Sequence, residues 1–298
     1  MSDTLQRFLF EHAAVRGEVV QLKAAWQAVL ERHDYPATVR EPLGELLVAG
    51  VLLAATMKFD GSITLQVRGD GPINMLIVDC SPHHGDEESG PLYHVRGMAS
   101  WNGEVPDGDL KSRFGNASLV ITIDPGPGSK RYQGIVELSG DSMADAIDDY
   151  LERSEQLPTR MWLVADEQGA SGLLLQKMPA EKAEDEEAWN RLTMLASTIT
   201  DSELLGLAQQ EVIHRLFHEE DIRLFESQPV AFHCTCSSER VEETLRGMGH
   251  EEVMGIVESE GAVEIVCQFC NRHYRYDAVD AEQLFADMPA PGGSDTRH

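Results

Sequence analysis

No apolar run in this chain of 298 residues approaches the roughly 18 that a membrane span needs. Gly50-Val51-Leu52-Leu53-Ala54-Ala55 is apolar but short. Basic residues are scarce, with 24 Lys and Arg against 51 Asp and Glu and a formal net charge of -27. Such a surface repels phosphate backbones, so neither nucleic acid nor a membrane is an expected partner. A signal-peptide pattern is missing from the first residues, and the expected location is the reducing cytoplasm. Internal repeats are also missing.

What is present suffices for a folded core. Apolar residues make up 42% of the chain, and the length suggests about two domains. Leu5 to Phe10 and Ala14 to Leu22 read as strands. Lys23 to His33 reads as a helix with Trp26, Val29 and Leu30 on one face, and Glu41-Pro42 opens a second through Thr56. Ile63, Leu65 and Val67 alternate with polar residues as in a half-buried strand. Further strands are predicted over 74–79, 93–99, 119–123, 133–138, 160–164 and 172–177, with a helix over 141–153. The mixture lacks a βαβ rhythm, which predicts an α+β class.

A boundary follows at Met178-Pro179. Trp189, Leu192, Leu195, Ala196 and Ile199 then form a helical stripe behind an acidic run, Glu184 to Glu187. Thr200-x-x-Glu203 fits a capping box for a helix carrying Leu204, Leu205, Val212, Ile213, Leu216 and Phe217. This stretch is too small to have its own core. It docks on something, or it is part of one larger domain. Residues 289–298, rich in Pro, Gly and polar residues, read as a disordered tail.

Four of the five cysteines lie in one pattern: Cys234-x-Cys236, thirty residues, then Cys267-x-x-Cys270. Thiolates are soft ligands, and four of them close a tetrahedral shell around Zn²⁺. Structural disulfides are one alternative. A thioredoxin-type pair at Cys267 and Cys270 is another, and it would have to open a helix after a strand. The reducing cytoplasm argues against the first, and strand-like flanks, Val263 to Val266 and Tyr274 to Tyr276, against the second, which favours the metal site.

Other candidate sites are weaker. Gly140-Asp141-Ser142-Met143-Ala144 resembles a nucleophile elbow, but its last glycine is alanine, and Ser142 reads more simply as a helix cap. His214 and His218 are four apart, yet Arg215 stands where a zincin needs glutamate. His83-His84 lies near Cys80 in a polar stretch without a fourth ligand. Gly126-Pro127-Gly128-Ser129-Lys130-Arg131 lacks the Walker spacing and reads as a hairpin loop. No enzyme is expected.

Five blocks occur in order: Phe10-Glu11-His12-Ala13-Ala14-Val15-Arg16-Gly17, Tyr150 to Thr159 with Ser154-Glu155-Gln156-Leu157-Pro158 at its centre, Gly172 to Pro179, Leu216-Phe217-His218-Glu219-Glu220, and the cysteine pattern. With these the chain closely resembles the heat-shock protein 33 family, redox-regulated, ATP-independent chaperones of the bacterial cytosol. The resemblance implies an N-terminal mixed α/β-sheet domain (1–179), a metastable helical linker (180–231), a small zinc-binding redox-switch domain (232–288) and the tail (289–298). It implies one zinc per chain on Cys234, Cys236, Cys267 and Cys270 when reduced, and Cys234–Cys236 and Cys267–Cys270 disulfides when oxidised. It also implies a homodimer on oxidation and unfolding proteins as clients. Cys80 matches no part of the family's cysteine motif and has no expected role.

Magnitudes support such a switch. Bound zinc contributes roughly 10–16 kcal/mol of apparent folding energy to a small module. Disulfides closing loops of three and four residues return only about 2 kcal/mol each. Oxidation should therefore unfold the module and take a docking partner from the linker helices. Leu204, Leu205, Val212, Ile213, Leu216, Phe217 and Phe225 would then face unfolded clients.

Overall fold

A computed structural model describes residues 3–57, 61–84, 90–126, 128–179 and 184–286. Pro127 of the expected hairpin loop and the tail 289–298 lie outside the described residues. The chain forms two compact units, Met1–His233 and Cys234–His298. No helix among the described residues is long and apolar enough to cross a membrane.

The first unit begins with an antiparallel pair, β1 (Thr4–Phe10) and β2 (Val15–Leu22). The Asp3 carboxylate accepts from the N–H groups of Lys23 and Ala24 at 2.8 and 3.0 Å and so caps α1 (Ala24–Leu30). The helix predicted from Glu41 opens earlier, as α2 (Ala37–Thr56), with Pro36 at its N-cap. Extended backbone at Pro36 (ψ 153°) lets its carbonyl accept from Val39 and Arg40. Pro42 therefore sits in the second turn, where its ring forfeits one helical bond. α2 is apolar almost all round because it is buried almost all round.

Three strands follow, β3 (Ser62–Gly69), β4 (Ile73–His83) and β5 (Leu92–Trp101). After a short helix α3 (Leu110–Phe114) come β6 (Ala117–Asp124) and β7 (Tyr132–Glu137). The helix predicted over 141–153 is shorter in α form, α4 (Met143–Tyr150), and runs into one π-helical turn, Leu151–Glu155. β8 (Thr159–Ala165) and β9 (Ala170–Lys177) complete the predicted strand set.

The linker segment starts with α5 (Glu184–Ala196). The single helix predicted after Thr200 is two, α6 (Asp201–Gly206) and α7 (Gln209–Phe217), because Leu207 and Ala208 are extended. The capping box of Thr200 and Glu203 is present. Two strands that the pattern did not announce follow, β10 (Ile222–Leu224) and β11 (Gln228–Phe232).

One eleven-stranded sheet results, ordered β7-β6-β3-β4-β5-β11-β1-β2-β9-β8, with β10 on β1. β11 joins the halves. It is parallel to β5 (Val230 opposite Tyr93) and antiparallel to β1 (Leu5 opposite Gln228). α2 lies against one face, over β2, β3, β4, β5, β8 and β9. Gly50 permits the approach: a Cβ there would stand 2.9 Å from Val78 Cγ1.

The opposite face of β1, β2, β8 and β9 carries a second core. Phe8, Phe10, Val15, Val19, Leu173 and Leu175 pack there against Trp189, Leu192, Leu204, Val212, Ile213, Leu216 and Phe217. The linker helices thus bury their apolar stripe on the sheet within the first unit. At about 25 cal/mol per Å², each such large side chain contributes roughly 1.5–3 kcal/mol.

The second unit holds α8 (Ser238–Met248), α9 (His250–Glu260), the hairpin β12 (Val263–Val266) and β13 (His273–Tyr276), and α10 (Ala278–Ala286). Leu245, Val253, Val257, Tyr274, Ala281 and Leu284 form its small core.

Candidate metal centre

The β12–β13 hairpin turns through Cys267 to Arg272. Cys267 N–H donates to the Arg272 carbonyl at 2.9 Å, and Asn271 N–H donates to the Cys267 carbonyl at 2.8 Å. Asn271 takes the left-handed conformation (φ 55°), which asparagine tolerates better than most residues. This tight turn sets Cys267 and Cys270 on one side. Cys234 and Cys236 come from the segment before α8, whose N-cap is Ser237.

The four sulfurs all lie within 4.8 Å of one another. Cys234 Sγ is 3.7 Å from Cys267 Sγ, and Cys236 Sγ is 3.3 Å from Cys270 Sγ. Ligands at about 2.3 Å in a tetrahedron stand about 3.8 Å apart, so the spacing fits a four-thiolate metal shell. Among the described residues this is the only group of three or more metal-capable side chains. The donor chemistry is soft and closed, which suits a structural ion.

Protons are distributed unequally over the cluster. Burial raises the Cys236 thiol, but hydrogen bonds from Tyr274 Oη (3.2 Å) and from the other thiols outweigh it, and the net value is about 7. Its neighbour Cys270 is pushed up to about 12, by burial first and then by the adjacent thiols. A thiolate is therefore readily available to begin binding an ion.

The alternatives at these cysteines fare differently. A thioredoxin-type pair needs a helix start, and Cys267 and Cys270 occupy a hairpin turn instead. Cys80 lies in β4, within the main core, and burial pushes its thiol far up. It is chemically quiet there.

The weaker sequence candidates are accounted for locally. Ser142 caps α4, accepting from Asp145 N–H, and its hydroxyl donates to the Asp145 carboxylate at 2.8 Å. His214 and His218 are exposed on and just beyond α7. At Gly126 to Arg131, Asp124 accepts from Gly126 N–H and from Arg131, so a carboxylate fills the place of an anion. His83 stacks on His94, and His94 on His233, at 5.1 and 4.3 Å between ring centres. Local pattern carries no sign of this stack: His83 and His94 meet across β4 and β5, and the distant His233 reaches His94 only because β11 pairs with β5.

The candidate client-binding residues Leu204, Val212, Ile213, Leu216 and Phe217 are all buried, and Leu205 is partly so. Phe217 meets Phe8 and Phe10 at 5.9 and 5.1 Å between ring centres. Their cover is the sheet of the first unit, whereas the sequence implies the zinc module as their docking partner. Phe225, by contrast, is already exposed.

The family model described as "Hsp33 protein" matches residues 3–277. The chain belongs to the Hsp33 family. It is 47% identical over 296 residues to the 33 kDa chaperonin of Nitrosococcus oceani, with 99% of each chain covered. It is 46% identical to the 33 kDa chaperonin of Methylobacillus flagellatus, covering 100% of this chain and 99% of that one. A solved structure of the Hsp33 homologue from Thermotoga maritima superposes with a TM-score of 0.79. That likeness covers 94% of this chain and 97% of the other at 22% identity, and it shows the shared fold.

Proposed function

We propose that this Hsp33-family protein is a chaperone of the holdase type, silent when reduced and active when oxidised. The observation that carries the reading is the four-thiol cluster in a module with a small core. The apolar linker buried on the sheet supports it. The reading assigns Cys234, Cys236, Cys267 and Cys270 as ligands of one Zn²⁺ per chain. It divides the chain at 179 and 231 into sheet domain, linker and switch, in a reducing cytoplasm. The chain binds clients stoichiometrically, without catalytic turnover.

Bound zinc would hold the four thiolates together and contribute roughly 10–16 kcal/mol of folding energy. An oxidant such as hydrogen peroxide converts Cys234 with Cys236, and Cys267 with Cys270, to disulfides. Each thiolate pair gives up two electrons, solvent supplies two protons, and one peroxide becomes two waters. The ligands are then gone. The new loops return about 2 kcal/mol each, and the module loses its fold.

On this reading the loss reaches the linker through β11 and β10. A single residue, His233, separates Cys234 from β11, and β10 and β11 both pair with β1. β1 supplies Phe8 and Phe10, the floor on which Phe217 rests. Loosening of β10 and β11 frees that floor, and Leu204, Leu205, Val212, Ile213, Leu216 and Phe217 become available to clients. Two such oxidised chains would pair through the newly exposed apolar surface, giving the homodimer.

The test is aggregation of a thermally unfolded client, followed by light scattering. Peroxide with mild heat should convert an inactive protein to one that suppresses aggregation at near-equal molar ratio. Equal activity without oxidant, or catalytic turnover in insulin reduction, would sink the proposal.

A further inference from the structure

The switch leaves several of the resemblance-bearing residues idle, and three of those stretches meet at one cavity in the first unit. Its volume is about 390 Å³, within the range of small-molecule sites. The wall is mostly apolar, with Leu53 from α2, Ile63 from β3, Ile121 from β6, and Leu151 and Leu157 on either side of the π-helical turn's end. That turn ends at Gln156 with φ 55°, a left-handed conformation uncommon outside glycine. Irregular backbone of this kind persists where the surrounding fold over-determines it, and it gathers at functional sites.

Arg16 of β2 is the only charged side chain lining the cavity among the described residues. Its guanidinium is held from behind. Nε donates to Gln176 Oε1 at 3.1 Å, and Nη2 donates to the same oxygen and to the Thr56 carbonyl. Gln176 Nε2 donates to Thr159 Oγ1 at 2.8 Å, and that hydroxyl donates to the Leu157 carbonyl at 2.9 Å. No carboxylate among the described residues lies within ion-pair distance of Arg16, and its Nη1 makes no hydrogen bond to them. In a chain of net charge -27, Arg16 is attracted by the buried Glu18 of its own strand but forms no ion pair with it, and its guanidinium beside an apolar wall offers a place for an external anion.

We propose that this cavity binds a free aliphatic monocarboxylate. The carboxylate pairs with Arg16, and the hydrocarbon chain lies along Leu53, Ile63 and Ile121. The lining favours a free acid over a peptide's C-terminal residue. A peptide would bring backbone N–H and C=O groups against an apolar wall that offers them few partners. The inference is independent of the redox reading.

Sodium octanoate titrated calorimetrically into the reduced, full-length protein tests it. One saturable site per chain is expected, and 1-octanol, of equal chain length but uncharged, should bind at least about tenfold more weakly. Arg16→Gln should erase the difference between acid and alcohol, and Ile121→Phe, which fills the cavity, should weaken both. Thermal melting checks that each variant folds. The comparison of acid with alcohol on the unaltered protein decides even if a variant does not fold. No saturable site, equal binding of octanol, or equal binding of a short peptide ending in leucine would overturn the proposal.

Discussion

Phe217 shows how much a single side chain can hold in place. It is buried between Phe8 and Phe10 at the end of the last linker helix. Phe217→Ala removes these contacts at a cost of about 3–5 kcal/mol. Limited proteolysis within residues 184–217 should quicken, and the reduced protein should show part of the chaperone activity without oxidant. A variant as silent and as protease-resistant as the parent would break the link between docking and silence. Glu18, on β2, makes a separate residue-scale case. Burial pushes its carboxyl up to about 7, against the lowering pull of Arg16 and Arg7. The folded state therefore keeps a proton that the unfolded state gives up near 4.5. Stability from this group is present in full below about 4.5 and is lost as pH rises through about 7. Glu18→Gln should recover up to about 3 kcal/mol at pH 8 and almost nothing at pH 4.5. Melting curves at the two pH values check this, and a gain equal at both would contradict it.

At the scale of elements, β11 is the piece the sequence concealed. Gln228-Pro229-Val230-Ala231-Phe232 is short, carries a proline, and has partners more than a hundred residues away at β1 and β5. Local alternation cannot announce such a strand. The strands of the first 177 residues were legible as alternating or continuous apolar runs of six to eleven residues between turns. The cysteine cluster was legible for a different reason: ligand chemistry fixes residue type and spacing whatever the fold. The linker helices could be read as apolar stripes, but the surface that covers them could not. The π-helical turn was hidden because α4 and its continuation have one unbroken helical pattern. β11 also offers a test. Val230 N–H donates to the Asp3 carbonyl at 3.0 Å. Val230→Pro removes that bond and leaves the acceptor unpaired, at about 1–3 kcal/mol. The account expects a lower melting temperature and partial activity with zinc still bound. Lowered stability with full silence would show that β11 does not relay the signal.

The whole molecule divides its stability unevenly. The first unit closes an eleven-stranded sheet around two cores, one on each face. The second unit has a core of a few side chains and, on this reading, depends on an ion for the rest. That imbalance suits a switch: a modest chemical change can unfold the small unit and spare the large one. The charge of -27 also has a place at this scale, since it keeps apart chains that expose apolar surface. The central claim is that thiol oxidation, loss of the ion and chaperone activity are one event. The most direct measurement follows the zinc-to-protein ratio and client aggregation in the same samples across an oxidant titration. The account predicts about one zinc per chain at the start, with its release and the suppression of aggregation rising together. Activity with zinc retained, or zinc lost with no activity gained, would contradict it.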